Sequence, residues 1–132
     1  MHPTAGIMAI GARKCLVAFN VNLQTPDVEI AKAIAKEIRE SNGGLKEVKA
    51  MGFSLDDRGI TQVSMNMCDY NTTGLATVFD KISELAQKHG TEVLESELVG
   101  TAPAKALIDV AEQKLKLKDF DAFKQIIEYK LI

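Results

Sequence analysis

Residues 14–23, KCLVAFNVNL, and residues 60–70, ITQVSMNMCDY, decide the fold. In the first stretch Cys15, Val17, Phe19, Val21 and Leu23 alternate with Leu16, Ala18, Asn20 and Asn22. In the second, Val63, Met65 and Met67 alternate with Gln62, Ser64 and Asn66. Successive side chains of an extended chain point to opposite sides, so this period of two marks strands with one apolar face. The other face is polar in an unusual way. Asn is depleted in strands, yet Asn20, Asn22 and Asn66 recur there with Gln62 and Ser64.

Working outward, each strand is followed by an element of different period. After the first, Thr25-Pro26-Asp27 is a helix-start signal: a capping hydroxyl, Pro at the first helical position, then an acid near the positive end of the dipole. Ile30, Ala31, Ile34, Ala35 and Ile38 follow at helical spacing, and Asn42-Gly43-Gly44 stops the run. Val48 to Leu55 predicts a second strand, turned by Asp56-Asp57-Arg58-Gly59 into the third, so the two form a hairpin. Asn71 to Gly74 opens a second helix with the stripe Leu75, Val78, Phe79, Ile82, Leu85 and Ala86. Gly90 ends it, and His89 suits the negative end of its dipole. Glu92 to Val99 predicts a fourth strand. Pro103 then starts a third helix with Leu107, Ile108, Ala111 and Leu115 inward, and residues 120–132 predict a short closing helix.

The order β-α-β-β-α-β is the split βαβ, or ferredoxin-like, pattern. It implies an α+β fold: an antiparallel sheet, helices on one face, extra C-terminal helices on residues 100–132. Residues 1–13 read as a loop and 14–99 as the βαββαβ unit, in one domain without internal repeats. The helices need apolar partners, so Val17, Phe19, Val21, Val63, Met65 and Met67 should lie beneath them. Asn20, Asn22, Gln62, Ser64 and Asn66 should then occupy the uncovered face, with Glu95 and Glu97 as further candidates.

Composition narrows the function. The 132 residues are 46% apolar and 26% charged, enough for one domain with a core that needs no disulfide or metal. Sixteen basic against eighteen acidic residues leave a formal charge of −2, which argues against nucleic acid as a partner. No apolar run approaches the ~20 residues that span a bilayer, and the N-terminus lacks the order of a signal peptide. The expectation is a soluble cytoplasmic protein, with Cys15 and Cys68 as buried thiols in a reducing compartment. Gly6 to Arg13 has the glycine spacing of a P-loop but lacks its Lys-Ser/Thr and precedes a strand instead of following one. His2 and His89 are the only histidines, and no nucleophile constellation or metal-ligand spacing is present. The residues alone therefore describe a binding unit without its own catalyst. Its carboxamide face is either a solvated surface or a donor and acceptor array for a pterin, an amide or a second protein. Arg13 is either a surface residue or a bidentate carboxylate ligand.

Several strings carry a more specific message. His2-Pro3-Thr4-Ala5-Gly6, Gly11-Ala12-Arg13-Lys14, Ala18-Phe19-Asn20-Val21-Asn22-Leu23, Gly44 to Ala50, Gln62-Val63-Ser64-Met65-Asn66 and Ser96 to Gly100 occur in this order. Together they resemble the C-terminal subdomain of the glutamate formimidoyltransferase family. That family moves a formimino group from N-formimino-L-glutamate to tetrahydrofolate in histidine breakdown, with folate held between two ferredoxin-like subdomains. The resemblance implies tetrahydrofolate as co-substrate, and an N-terminal subdomain, in cis or in trans, as partner. It places folate contacts on His2, Pro3, Thr4, Ala5 and Gly6. Arg13 would meet a folate or glutamate carboxylate, and Asn20, Asn22 and Asn66 the pterin edge. Met1 and Ala5 depart from the pattern of the animal enzymes. The family's catalytic His lies in the other subdomain, with no counterpart here, so this chain alone is expected to be inactive. The alternative is a non-catalytic ligand-binding or structural protein, as a homodimer pairing two open sheets.

Overall fold

The computed structural model describes residues 16–130. Strand β1 spans Val17–Leu23, helix α1 Val28–Ile38, β2 Val48–Leu55, β3 Ile60–Met67, α2 Leu75–Lys88 and β4 Val93–Val99. Helix α3, Ala104–Leu115, and two single-turn helices, α4 (Ala122–Gln125) and α5 (Ile127–Lys130), follow among the described residues. All strand pairs are antiparallel, in the order β2-β3-β1-β4. The fold is α+β and ferredoxin-like, as the element order predicts.

Register fixes which residues share a face. Val17, Phe19 and Val21 of β1 stand opposite Met67, Met65 and Val63 of β3, and these in turn opposite Val48, Ala50 and Gly52 of β2. This is the covered face. Ala31, Ile34, Ala35 and Ile38 of α1, and Leu75, Val78, Ile82 and Leu85 of α2, complete its core. Gly52 is the tightest point. A Cβ there would lie 2.5 Å from the backbone nitrogen of Lys32 and 2.6 Å from the carbonyl carbon of Ala31. Helix α1 thus crosses β2 at a distance only glycine permits.

The structure moves several boundaries. Asp27, not Thr25, caps α1: its carboxylate accepts from the Glu29 amide at 3.0 Å, while Thr25 Oγ1 accepts from the Asp27 amide at 3.2 Å. Pro26 therefore precedes the cap. Helix α1 ends at Ile38, and a 3₁₀ turn over Glu40–Asn42 carries the chain to Gly43 in the left-handed conformation. The third strand stops at Met67 instead of Tyr70, because Asp69 folds the chain back. Its carboxylate accepts from the Asn71 amide and the Thr72 hydroxyl. Thr73 Oγ1 donates to the carbonyl of Lys46 at 2.6 Å, tying this turn to the entry of β2.

Helix α3 is rotated from the expected stripe. Ala106 is its buried residue, with Val110 packed against the core, whereas Leu107, Ala111 and Leu115 are exposed. The helix packs on α2, where Lys114 reaches Asp80 and lies over the Phe79 ring. The closing segment is two short helices, and Phe123 and Ile127 on them are exposed. Cys68 is a free, half-buried thiol; Cys15 lies outside the described residues.

The close approach at Gly52 yields a sharp expectation. Gly52→Ala forces α1 away from the sheet, with no flexible side chain to absorb the clash. Urea unfolding should show a loss of about 3 kcal/mol, the upper end of overpacking costs. An unchanged midpoint would mean that the crossing is looser than this geometry.

Candidate functional site

The uncovered face is built from the same register. Lys49, Asn66, Ala18 and Val99 form one row across β2, β3, β1 and β4. Met51, Ser64, Asn20 and Glu97 form the next, and Phe53, Gln62, Asn22 and Glu95 a third. Asn20, Asn22, Gln62, Ser64 and Asn66 share this face with Glu95 and Glu97, as the alternation predicts. Glu97 and Glu95 hold this face by period two opposite Asn20 and Asn22, and the register shift at Leu94 falls beyond them, before the pair Leu23–Val93.

Within the third row the side chains form a continuous hydrogen-bonded ladder. Gln62 Nε2 donates to Asn22 Oδ1 at 3.0 Å, and Asn22 Nδ2 donates to Glu95 Oε2 at 2.7 Å. Arg58, from the β2–β3 turn, donates to the same Glu95 oxygen at 2.5 Å. In the second row Asn20 Nδ2 donates to Glu97 Oε1 at 3.0 Å. Asn22 is engaged through both its donor and its acceptor and is only 5% exposed, so it orients its neighbours. Asn20 Oδ1 and the Asn66 carboxamide make no hydrogen bond among the described residues. Glu97 forms no salt bridge among them either.

Electrostatics follow the ladder. The Arg58 guanidinium, and next the Asn22 amide, hold the Glu95 carboxyl below the usual glutamate range. Reciprocally, the hydrogen bond to Glu95 raises Arg58 further. Glu95 is thus compensated by Arg58, while Glu97 takes only the Asn20 amide hydrogen bond and a weaker electrostatic interaction with Arg58 among the described residues. Apolar surface flanks the array on β2, where Met51 is 60% and Phe53 44% exposed.

The structure brings together Asn20, Asn22 and Asn66 among the sequence-predicted site residues. His2, Pro3, Thr4, Ala5, Gly6 and Arg13 lie outside the described residues. Sequence reading gave Arg58 a turn role only. Its pairing with Glu95 depends on the strand order, which places β1 between the hairpin and β4. Phe53 and Met51 were legible in principle, since period two from Lys49 puts them on the polar face.

The Arg58–Glu95 contact has a testable consequence. A carboxyl whose folded pKa lies below its unfolded one stabilises the fold above the unfolded value. That contribution disappears as pH falls through the folded one. Carbon-detected NMR titration should place Glu95 below the ordinary glutamate range, and Arg58→Ala should move it upward. An ordinary midpoint insensitive to Arg58→Ala would contradict the ladder.

Comparison with known proteins supplies the lineage. The family model for the formiminotransferase domain matches residues 18–118. A glutamate formimidoyltransferase of Streptococcus pyogenes serotype M1 is 54% identical over 132 residues, all of this chain and 44% of that protein. A glutamate formimidoyltransferase of Thermoplasma acidophilum is 44% identical over 117 residues, 89% of this chain and 39% of its own. A formimidoyltransferase-cyclodeaminase of Sus scrofa is 44% identical over 115 residues, 83% of this chain and 21% of its own. The chain therefore spans less than half the length of these curated relatives. With a family model covering most of it and every strand of its sheet at least in part, the chain belongs to the formiminotransferase family.

Proposed function

We propose that this chain is the folate-binding half of a glutamate formimidoyltransferase. It would hold tetrahydrofolate while a formimino group passes to it from N-formimino-L-glutamate, a step of histidine degradation in the cytoplasm. One observation carries the reading: in a chain of this family, the face away from the helices is an ordered carboxamide array.

In formimino transfer a folate nitrogen adds to the formimino carbon, and the tetrahedral intermediate then expels the amino group of glutamate. The reaction needs its two partners aligned, water excluded, and a group that moves protons at the intermediate. This chain would supply the alignment. A pterin edge carries adjacent N–H donors and carbonyl and ring-nitrogen acceptors. Asn20 Oδ1, the Asn66 carboxamide and Glu97 offer complementary groups at fixed spacing. Asn22, Gln62, Glu95 and Arg58 lock that spacing, so little side-chain freedom is lost on binding. Phe53 and Met51 would border the pterin ring. Residues 2–6 and Arg13 would add the contacts implied by the family resemblance. Proton transfer would come from a histidine of the N-terminal subdomain, joined in cis or in trans.

Formimino transfer to tetrahydrofolate, assayed with this chain alone, should be absent. Mixed with the N-terminal region of the Streptococcus pyogenes relative, it should become measurable. Asn20→Ala or Asn66→Ala should then reduce it by about tenfold, the loss of one charge-free hydrogen bond to substrate. Full turnover by the chain alone would overturn the division of labour. Unaltered turnover in both variants would overturn the role of the face.

A further inference from the structure

The three methionines among the described residues sit in very different places. Met65 and Met67 lie beneath the helices, 2% and 0% exposed. Met51 stands on the open face, 60% exposed, in one row with Ser64, Asn20 and Glu97. It is the apolar neighbour of the carboxamide array, two residues before Phe53 on the same strand. The same side chain lines a cleft of about 380 Å³ with Arg39, Lys49 and Cys68, so small solutes approach it from the sheet edge as well.

A thioether is a soft nucleophile. Its sulfur lone pair attacks one oxygen of hydrogen peroxide, the O–O bond breaks, and the other oxygen leaves as water. The sulfur is oxidised by two electrons to the sulfoxide and the peroxide is reduced by two. Sulfoxide reductases reverse the step with a dithiol, which removes the oxygen as water and closes to a disulfide. A reduced pterin autoxidises in air and releases hydrogen peroxide, so the ligand itself brings the oxidant to this face.

The product differs from the thioether in the property that matters here. A flexible apolar side chain becomes polar and gains a strong acceptor. On this face the new oxygen has donors close by. Ser64 stands directly opposite Met51, and Asn66 is its diagonal neighbour, opposite Lys49. A hydrogen bond from the Asn66 carboxamide to the sulfoxide would occupy a group that the pterin needs. The apolar border next to Phe53 would be lost at the same time.

We propose that Met51 is a reversible modification site, at which sulfoxidation by a peroxide weakens folate binding and reduction restores it. The inference rests on the reading of the open face as the folate site and adds redox regulation to it. Met65 and Met67 are shielded from the same chemistry by the helices, so the core survives the modification.

The test uses the 132-residue chain, treated with hydrogen peroxide and then with dithiothreitol to restore its cysteines. Peptide mass mapping should find Met51 oxidised well before Met65 and Met67. Calorimetric titration with 5-formyltetrahydrofolate, an air-stable reduced folate, should show binding weakened by about tenfold, the scale of one neutral hydrogen bond. Methionine sulfoxide reductases of both epimer specificities should restore it, and thermal unfolding should not move. Met51→Gln, with an amide oxygen in place of the sulfoxide, should bind weakly without any oxidant. Met51→Leu should bind equally before and after peroxide. Equal oxidation of the three methionines, or oxidised wild type that binds as tightly as untreated, would overturn the inference and leave the folate reading standing. So would a peroxide effect that persists in Met51→Leu. An untreated chain that binds no folate would overturn that reading and the inference with it.

Discussion

Strand β1 is hydrogen-bonded along both edges, to β3 and to β4, and the rest of the molecule is arranged around that double pairing. A central strand cannot slip by one residue without turning its whole apolar set outward. Val17, Phe19 and Val21 must meet α1 and α2, so Asn20 and Asn22 must face away from them. The same pairing brings Gln62 from one side and Glu95 from the other onto Asn22. The core and the polar ladder are thus two consequences of one register.

Much of this was legible in the sequence because it depends on period alone. Alternation in residues 17–23 and 60–67 gives both faces, and the stripes of α1 and α2 give the cover. What period does not carry was less visible. The Asp69 turn replaces three residues of expected strand through side-chain bonds to its own loop. Helix α3 packs on another helix, α2, and buries Ala106 while leaving Leu107 exposed, which the period of its own sequence does not show. The need for glycine at position 52 comes from the approach of Lys32, twenty residues earlier in sequence. Arg58 reaches Glu95 through the strand order, which no local period carries.

The site shows the same division. Alternation put the carboxamides on one face, as a solvated surface or a binding array, but did not tell which of them bond to one another. The structure separates Asn22, committed at both ends, from Asn20 Oδ1 and the Asn66 carboxamide, which make no hydrogen bond among the described residues. A face of this kind is ordered before any ligand arrives, which suits a unit that aligns a reactant while another supplies the chemistry.

The central claim is that the carboxamide face, not the helix-covered side, receives the pterin. Titrating the isotopically labelled chain with anaerobic tetrahydrofolate, and following side-chain amide resonances by NMR, tests it most directly. Shifts are expected at the carboxamide groups of Asn20 and Asn66, smaller ones at Gln62, and none at Gln87 or Gln113 on α2 and α3. Shifts confined to the helices, with Asn20 and Asn66 unmoved at saturation, would contradict it.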